Sequence, residues 1–148
     1  MDSLPPSEAT LIIRTDFADP VAWDKLRSVI NDPYQEASGL FVDDPRFAGL
    51  APEQLLTRLP RGYDGAIIAV ADATTFASAE LPVVIVYVDD DDNPEDPSDD
   101  DHVPPPRSNH FRCIAAAYTE VEANLSLANM DFEDFLDAVD ADGIYRTL

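Results

Sequence analysis

Two nearly continuous apolar runs, at residues 65–71 and 82–88, limit the fold of this chain more than any other feature. Neither run alternates apolar with polar residues, as a strand with one solvated face does, and both are far too short to cross a bilayer. Unbroken apolar runs of this length are typical of strands that are covered on both faces. The sequence therefore predicts a sheet with other elements packed against both of its sides.

Shorter patterns predict strands and helices in an interleaved order. Residues 11–13 and 39–42 are predicted strands, and Asp19 followed by Pro20 indicates a helix start, with Asp as N-cap and Pro at the first helical position. The apolar side chains of that helix recur at i, i+3 and i+7, at Trp23, Leu26 and Ile30. Two further elements are a short helix and a strand, at residues 52–59 and 111–117.

The C-terminal part of the chain predicts two helices and a last extended segment. Thr119 and Glu122 have the spacing of a capping box for a helix that continues to about residue 128. Asp131 is placed to cap a second helix, and residues 144–145 then return as a short strand. The apolar side chains of the second helix recur at i, i+3, i+4 and i+7, at Phe132, Phe135, Leu136 and Val139.

Strands interleaved with helices predict an α/β fold. We expect one compact domain over residues 11–148, with a mixed, mostly parallel sheet flanked by helices, preceded by a flexible tail over residues 1–10. Residues 89–101 read DDDDNPEDPSDDD, in which nine of thirteen residues are acidic. Because such a block repels itself and buries no apolar area, it predicts a disordered acidic loop, containing prolines, at about residues 89–109.

The charge of the chain excludes several classes of function. Nine basic and 30 acidic residues give a formal net charge of −21, and about −12 would remain without the nine charges of the loop. Because phosphate binding depends on Lys and Arg, nucleic acids and anionic membrane surfaces should be repelled, whereas basic proteins should be attracted. One cysteine, and an N-terminal segment without the features of a secretory signal, predict a reducing, cytoplasmic location.

Four motifs carry a resemblance to a known family: RTDF at residues 14–17, DDPRFAG at 43–49, NLSLANMDF at 124–132 and DGIYR at 142–146. In these motifs the chain is similar to an uncharacterised family of small acidic proteins from actinobacteria and some fungi. The resemblance covers most of the chain outside the tail and the acidic loop. It implies domain boundaries and candidate positions but no chemistry.

Polar residues that follow the predicted strands form one candidate site. Arg14 and Asp16 follow the first strand, and Asp43 and Asp44 follow the second; Asp72 and Asp89 end the two apolar runs. If these strands are parallel, the side chains lie at the edge of the sheet where open α/β folds bind ligands, and the carboxylates are suitable for Mg²⁺. The simpler interpretation, which we prefer, is that they end strands and cap helices.

Two other pairs of residues also have a functional and a structural interpretation. Arg14 and Arg146 adjoin apolar segments near the two ends of the fold, where they form either an anion clamp or structural ion pairs, for example with Asp16 or Asp131. Asn124 and Asn129 flank a predicted helix break, where their amides would satisfy exposed backbone groups rather than bind a ligand.

The sequence contains no recognisable catalytic constellation. It has no G-x-S-x-G motif and no glycine-rich phosphate loop, and its two histidines, His102 and His110, do not have the spacing of a zinc site. Cys113 lies in an apolar segment, where an inert, buried thiol is expected. We therefore do not expect a cofactor, apart from the Mg²⁺ considered above.

A strong negative net charge, in a sequence without a catalytic constellation, favours a binding or regulatory protein over an enzyme. Our leading hypothesis is an acidic module, of the inhibitor or immunity type, that engages a basic protein partner. The alternative is a small-molecule-binding protein, or an enzyme of a biosynthetic pathway, that uses the cluster of Arg14, Asp16, Asp43 and Asp44.

Overall fold

The computed structural model describes residues 4, 10–30, 39–60, 63, 65–88, 109–126 and 131–146. Strands are interleaved with helices along these residues, as the sequence predicts. The strands are β1 (Leu11–Arg14), β2 (Leu40–Val42), β3 (Ile67–Ala71), β4 (Pro82–Tyr87), β5 (His110–Ile114) and β6 (Ile144–Tyr145). The α-helices are α1 (Pro20–Ile30), α2 (Pro52–Leu56), α3 (Ala73–Ala77), α4 (Tyr118–Ser126) and α5 (Phe132–Ala138), and two 3-10 turns cover Pro45–Phe47 and Ala115–Ala117.

The strands form a single sheet in the order β2-β1-β3-β4-β5-β6. Strand β1 is parallel to both β2 and β3, and β5 is parallel to β6, but β4 runs antiparallel to both of its neighbours. The prediction of a mixed sheet is confirmed, whereas the prediction of a mostly parallel one is wrong. The connection from β3 to β4 is shorter than the dozen or so residues that a parallel crossover needs, so the chain turns back beside β3.

Two apolar cores cover the two faces of the sheet. Ile12 of β1 belongs to the first core and its neighbour Ile13 to the second, because successive side chains of a strand point to opposite faces. Helices α1, α4 and α5 cover the first core, to which they contribute Trp23, Leu26, Ile30, Tyr118, Val121, Phe132, Phe135 and Leu136. The second core is closed by Phe47, by Leu55 of α2 and by Leu4. All five residues of β3 are buried, as its unbroken apolar run predicts.

The start of α1 agrees with its sequence pattern, but the start of α4 does not. The Asp19 carboxylate accepts a hydrogen bond from the backbone N–H of Ala22 at 3.0 Å, which is the predicted cap. The predicted capping box at Thr119 is wrong, because the strand before it ends at Ile114 and the 3-10 turn Ala115–Ala117 leads directly into the helix at Tyr118. Thr119 therefore lies inside α4 and does not precede it.

Parts of the sequence prediction lie outside the described residues. These parts include most of the predicted acidic loop, at residues 89–108, and Asn129. Within the predicted tail, Leu4 is 2% exposed, and its backbone N–H donates to the carbonyl oxygen of Arg58 at 2.7 Å. None of the helices in the described residues is long and apolar enough to span a membrane.

Candidate functional site

The carboxyl ends of β1, β2, β3, β5 and β6 meet at one edge of the sheet, which we call the carboxyl edge. Because β4 is reversed, its amino end lies at this edge, and its carboxyl end, which leads to Asp89, lies at the opposite one. Arginines bound to carboxylates follow the carboxyl edge from β2 to β6. The groups are Arg46 with Asp44, Arg14 with Asp43, Arg112 with Asp72, and Arg146 with Glu80, Asp140 and Asp142.

Arg14, the last residue of β1, is only 6% exposed. Its Nη1 donates to Oδ1 of Asp43 at 3.1 Å, and its Nε donates to the backbone oxygen of Asp16 at 3.1 Å. Its guanidinium carbon lies 4.4 Å from the ring centroid of Phe17 and 5.4 Å from that of Trp23. A charged group is buried at this depth only when ion pairs, hydrogen bonds and aromatic faces replace its water, as they do here.

The connections that follow β1 and β2 leave the sheet on opposite sides. The chain passes from β1 into α1 over the first core, and from β2 towards α2 over the second. In open α/β sheets, ligands bind outside the carboxyl ends of the strands where connections diverge in this way. We call this place the switch point and define it by four side chains: Arg14, Phe17, Trp23 and Asp43.

Polar atoms at the switch point retain unused hydrogen-bonding capacity. The indole nitrogen Nε1 of Trp23 is buried and has no acceptor among the described residues. Within the same residues, Arg14 uses Nε and Nη1 but not Nη2, and Asp43 uses Oδ1 but not Oδ2. Two donors and one acceptor of the switch point thus have no hydrogen-bond partner among the described residues.

Arg112 of β5 reaches across β4 to the end of β3. Its Nη1 and Nη2 donate to the two oxygens of Asp72 at 3.0 and 2.8 Å, and Nη1 also donates to the backbone oxygen of Pro82 at 3.1 Å. Asp72 caps α3 by accepting the backbone N–H of Thr75 at 3.0 Å. Burial alone would raise the pKa of Asp72, but the hydrogen bonds from Arg112 and Thr75 and the charge of Arg112 lower it below its ordinary value.

Arg146, which follows β6, lies among three carboxylates. It donates to Glu80 through Nε at 2.8 Å, to Asp140 through Nη1 at 2.7 Å and to Asp142 through Nη2 at 2.8 Å. The hydrogen bonds from Arg146 lower the pKa of Glu80 and of Asp142. These contacts tie the turn before β6 to the turn before β4, where Leu81 is buried in a left-handed backbone conformation with a φ of 52°.

The structure brings some of the predicted site residues together and leaves others apart. Arg14, Asp16 and Asp43 are in contact at the carboxyl edge, and the Asp44 carboxylate is bound by Arg46, which lowers its pKa. Asn124 of α4 donates its side-chain amide to the backbone oxygen of Glu120 at 2.8 Å. This bond joins two residues inside α4, so the role of Asn124 at the helix break stays a prediction.

The predicted partners of the two arginines are wrong. The Asp16 carboxylate is not paired with Arg14, because it accepts the backbone N–H of Ala18 at 2.9 Å in the turn after β1. Asp131 is exposed and stands at the N-cap position of α5, where it has no ion pair with Arg146 among the described residues. Arg14 pairs with Asp43 instead, and Arg146 pairs with Glu80, Asp140 and Asp142.

Sequence reasoning missed several residues of the carboxyl edge, among them Trp23, Glu80 and Arg112. Trp23 belongs to the first core, and its ring also lies beside Arg14, whose guanidinium carbon is 5.4 Å from the ring centroid. Arg112 could have been identified from the sequence, because it is the one charged side chain in the predicted strand 111–117. Such a charge on a half-buried strand indicates a partner on a neighbouring strand.

The strand-end carboxylates among the described residues do not form a metal centre. Among the described residues, no group of three or more His, Cys, Asp or Glu side chains could hold a metal ion. Asp43, Asp44 and Asp72 each form an ion pair with a different arginine, and the positive charge of that arginine opposes the binding of a cation beside it. Cys113 is fully buried, and burial raises the pKa of its thiol, as an inert cysteine requires.

The fold and the carboxyl edge together define an α/β domain whose mixed sheet ends in paired arginines and carboxylates at a switch point. A family model described as a domain of unknown function, DUF6924, matches residues 9–148, and the chain belongs to this family. Membership agrees with the resemblance to an uncharacterised family seen in the sequence. A search of curated proteins finds no match to the chain.

Proposed function

We propose that this protein binds a basic protein partner, as a regulatory module of the inhibitor or immunity type. The partner would bind the acidic surface, which we define as the exposed carboxylates of α4, of α5 with its N-cap, and of the turn before β6. These are Glu120, Asp131, Asp134, Asp137, Asp140 and Asp142. The observation that carries the proposal is that residues 115–146 contain one basic residue, Arg146, whose charge three carboxylates already neutralise.

The distribution of charge supports a directed surface over a uniform coat. Helix α1 carries Lys25 and Arg27 beside Asp24, and Arg27 lies 3.8 Å from the Asp24 carboxylate. Helix α5, in contrast to this mixture of charges, has two acidic residues in its first turn and no basic residue in its last. Among the described residues, negative charge is therefore concentrated on one part of the layer that covers the first core.

The C-terminal end of α5 is a second argument for binding. Asp137 lies in the last turn of the helix and Asp140 follows it, although carboxylates near the negative end of the helix dipole oppose folding. Stability alone would favour Lys or Arg at such positions. A cationic partner would add positive charge near this end of the helix and would also associate quickly, in a way that salt weakens.

The test compares two variants with equal loss of charge as baits in a lysate of the source organism. Asp134→Asn with Asp137→Asn removes two charges from the acidic surface, and Asp24→Asn with Glu53→Gln removes two charges elsewhere. We expect the wild type and the second variant to retain the same basic protein at low salt, and the first variant to lose it. Calorimetry with the purified partner then measures the affinity and its dependence on salt.

Two results would contradict this function. One is that the wild type retains no basic protein at low ionic strength. The other is that both variants retain their partner equally, which would mean that net charge matters and its position on α5 does not.

A further inference from the structure

We propose that Glu80, Asp140 and Asp142 form a receptor for an arginine side chain of the basic partner, and that Arg146 fills this receptor in the free protein. The inference rests on the proposed function, because it specifies how the basic partner is recognised at the end of the acidic surface that includes Asp140 and Asp142. It names the chemical group that the partner must present, a guanidinium, and the residue of this chain that competes with it.

The receptor satisfies every N–H group of the guanidinium that it holds. A guanidinium on an arginine side chain has five N–H donors, one on Nε and two on each Nη. In Arg146, Nε and Nη2 donate to the two oxygens of Glu80 at 2.8 and 3.0 Å, and Nη1 and Nη2 donate to the two oxygens of Asp142 at 3.2 and 2.8 Å. The remaining N–H of Nη1 donates to Asp140 at 2.7 Å. Two bidentate pairs and one single bond thus match the planar fork of an arginine, and an ammonium group cannot reproduce this match.

The negative charge around Arg146 exceeds what one structural ion pair requires. Arg14 and Arg112 each pair with one carboxylate among the described residues, whereas Arg146 pairs with three. Three negative charges against one positive charge leave −2 around Arg146, and carboxylates this close together repel one another. The remaining negative charge attracts a cationic side chain of a partner to the place where Arg146 lies.

The turn that carries Asp140 and Asp142 is closed by bonds that do not involve the Arg146 side chain. The backbone N–H of Asp140 donates to the carbonyl oxygen of Ile144 at 3.0 Å, and the backbone N–H of Ile144 donates to the Asp142 carboxylate at 3.1 Å. The two carboxylates therefore keep these supports when another guanidinium replaces that of Arg146. Groups that are fixed before binding lose little conformational entropy when a ligand arrives.

Only the side chain of Arg146 has to move when a partner takes its place. Tyr145, the residue before it, is fully buried in the first core and pairs with Cys113 of β5, so the backbone stays in the sheet. The Arg146 side chain is 30% exposed, and the three carboxylate side chains are 46–57% exposed, so a partner reaches them from solvent. Arg146 is thus an internal competitor that lowers the apparent affinity for the partner's arginine.

The test uses N-acetyl-L-arginine methylamide, which presents one guanidinium group without charged ends. Its binding to the full-length protein is followed by NMR of the carboxyl carbons of Glu80 and Asp142. We expect Arg146→Gln, in which the receptor is open, to bind this ligand at a Kd at least about tenfold lower than the wild type does. N-acetyl-L-lysine methylamide should bind the same variant at least about tenfold more weakly, because its ammonium group lacks the planar fork.

Two pairs of variants separate the receptor from a general effect of charge. Arg46→Gln makes the same change of net charge as Arg146→Gln, but at the exposed ion pair with Asp44, and should bind the arginine ligand no more tightly than the wild type. In the Arg146→Gln background, Asp142→Asn should weaken binding at least about tenfold. Asp134→Asn removes the same charge from the acidic surface outside the receptor and should weaken binding less than about twofold.

The proposal is overturned by any of three results. These are no saturable binding of the arginine ligand to Arg146→Gln, an equal affinity in the wild type and Arg146→Gln, and an equal gain of affinity in Arg46→Gln and Arg146→Gln. The amide spectrum of each variant shows whether it is folded. If Arg146→Gln does not fold, Arg146→Lys, which keeps the charge but not the fork, replaces it with the same expected order of affinities.

These titrations need no partner protein, so their failure is distinguishable from a failure of the proposed function. A protein that binds the arginine ligand as expected but retains no basic protein from a lysate loses the proposed function and keeps the receptor. A protein that retains a basic protein but whose Arg146→Gln variant does not bind the ligand loses only the receptor.

Discussion

The ion pair between Asp72 and Arg112 should contribute about 2 kcal/mol to the free energy of unfolding. The two side chains are 31% and 26% exposed and are joined by two hydrogen bonds of 3.0 and 2.8 Å. Exposed pairs contribute about 0–1 kcal/mol, and breaking a fully buried pair costs about 3–5 kcal/mol. A half-buried pair with bidentate geometry belongs between these limits, because part of its water is already displaced.

Substitutions at Asp72 separate the charge from the helix cap. Asp72→Asn keeps an acceptor for the N–H of Thr75 and should cost about 1.5–2 kcal/mol, whereas Asp72→Ala also loses the cap, which adds about 1 kcal/mol. Arg112→Met keeps the apolar stem of the arginine. A double-mutant cycle of Asp72→Asn with Arg112→Met should give a coupling free energy of about 1.5 kcal/mol.

Urea unfolding at pH 7, followed by the fluorescence of Trp23, measures these differences, since this single tryptophan is buried in the first core. The control is Asp44→Asn, which breaks the more exposed pair with Arg46 and should cause no resolvable loss. An Asp72→Asn variant as stable as the wild type, or a coupling free energy near zero, would refute the argument.

The same pair predicts a pH dependence with a definite sign. The folded-state pKa of Asp72 is lowered, so its contribution is complete above the unfolded-state pKa of about 3.9 and is lost as the pH falls through the folded-state pKa. The stability difference between the wild type and Asp72→Asn should therefore be constant from about pH 7 to pH 5 and shrink below about pH 4. A difference that persists at low pH would mean that the charge of Asp72 is not the cause.

Three further predictions concern other parts of the fold. Leu81→Ala should lower the free energy of unfolding by about 2–5 kcal/mol because Leu81 is buried. In urea, Leu81→Gly should be no less stable than Leu81→Ala, since glycine accepts a φ of 52° without strain. A glycine variant that is clearly less stable than the alanine variant would contradict this. Arg146→Gln should raise the pKa values of Glu80 and Asp142 towards their ordinary values, as followed by NMR titration of the carboxyl carbons, and unchanged values would show that Arg146 does not lower them. Cys113 should not react with a thiol reagent at pH 8 until the protein is unfolded in urea, because burial both shields the thiol and raises its pKa; a fast reaction in the native protein would contradict its burial.

Local patterns predicted most of the elements because each depends on neighbouring residues. The helix start at Asp19 and the buried face of Trp23, Leu26 and Ile30 follow from cap chemistry and helical spacing, and the structure confirms both. The capping box at Thr119 failed because the spacing of two residues says nothing about the turn that precedes them. Ala115–Ala117 begins the helical path earlier, so Thr119 has no free N-terminus to cap.

The sequence predicted which residues belong to the candidate site but not which of them pair with one another. The sequence places Arg14, Asp16 and Asp43 at strand ends, and the structure brings them together because β1 and β2 are parallel neighbours. The sequence could not indicate that Asp43, and not Asp16, pairs with Arg14. That choice depends on the register of two strands separated along the chain by a helix.

Taken alone, the sequence determined an α/β domain of strong negative charge, with a doubly covered sheet, and its membership of an uncharacterised family. The net charge is a sum over the composition, and the predicted strands and helices follow from the short-range periodicity of apolar residues. The tertiary structure alone decided that β4 runs against its neighbours, that Arg112 crosses β4 to Asp72, and that the indole of Trp23 lies beside Arg14. The physical reason is that strand order and direction are set by the packing of distant segments and by the length of the connections between them.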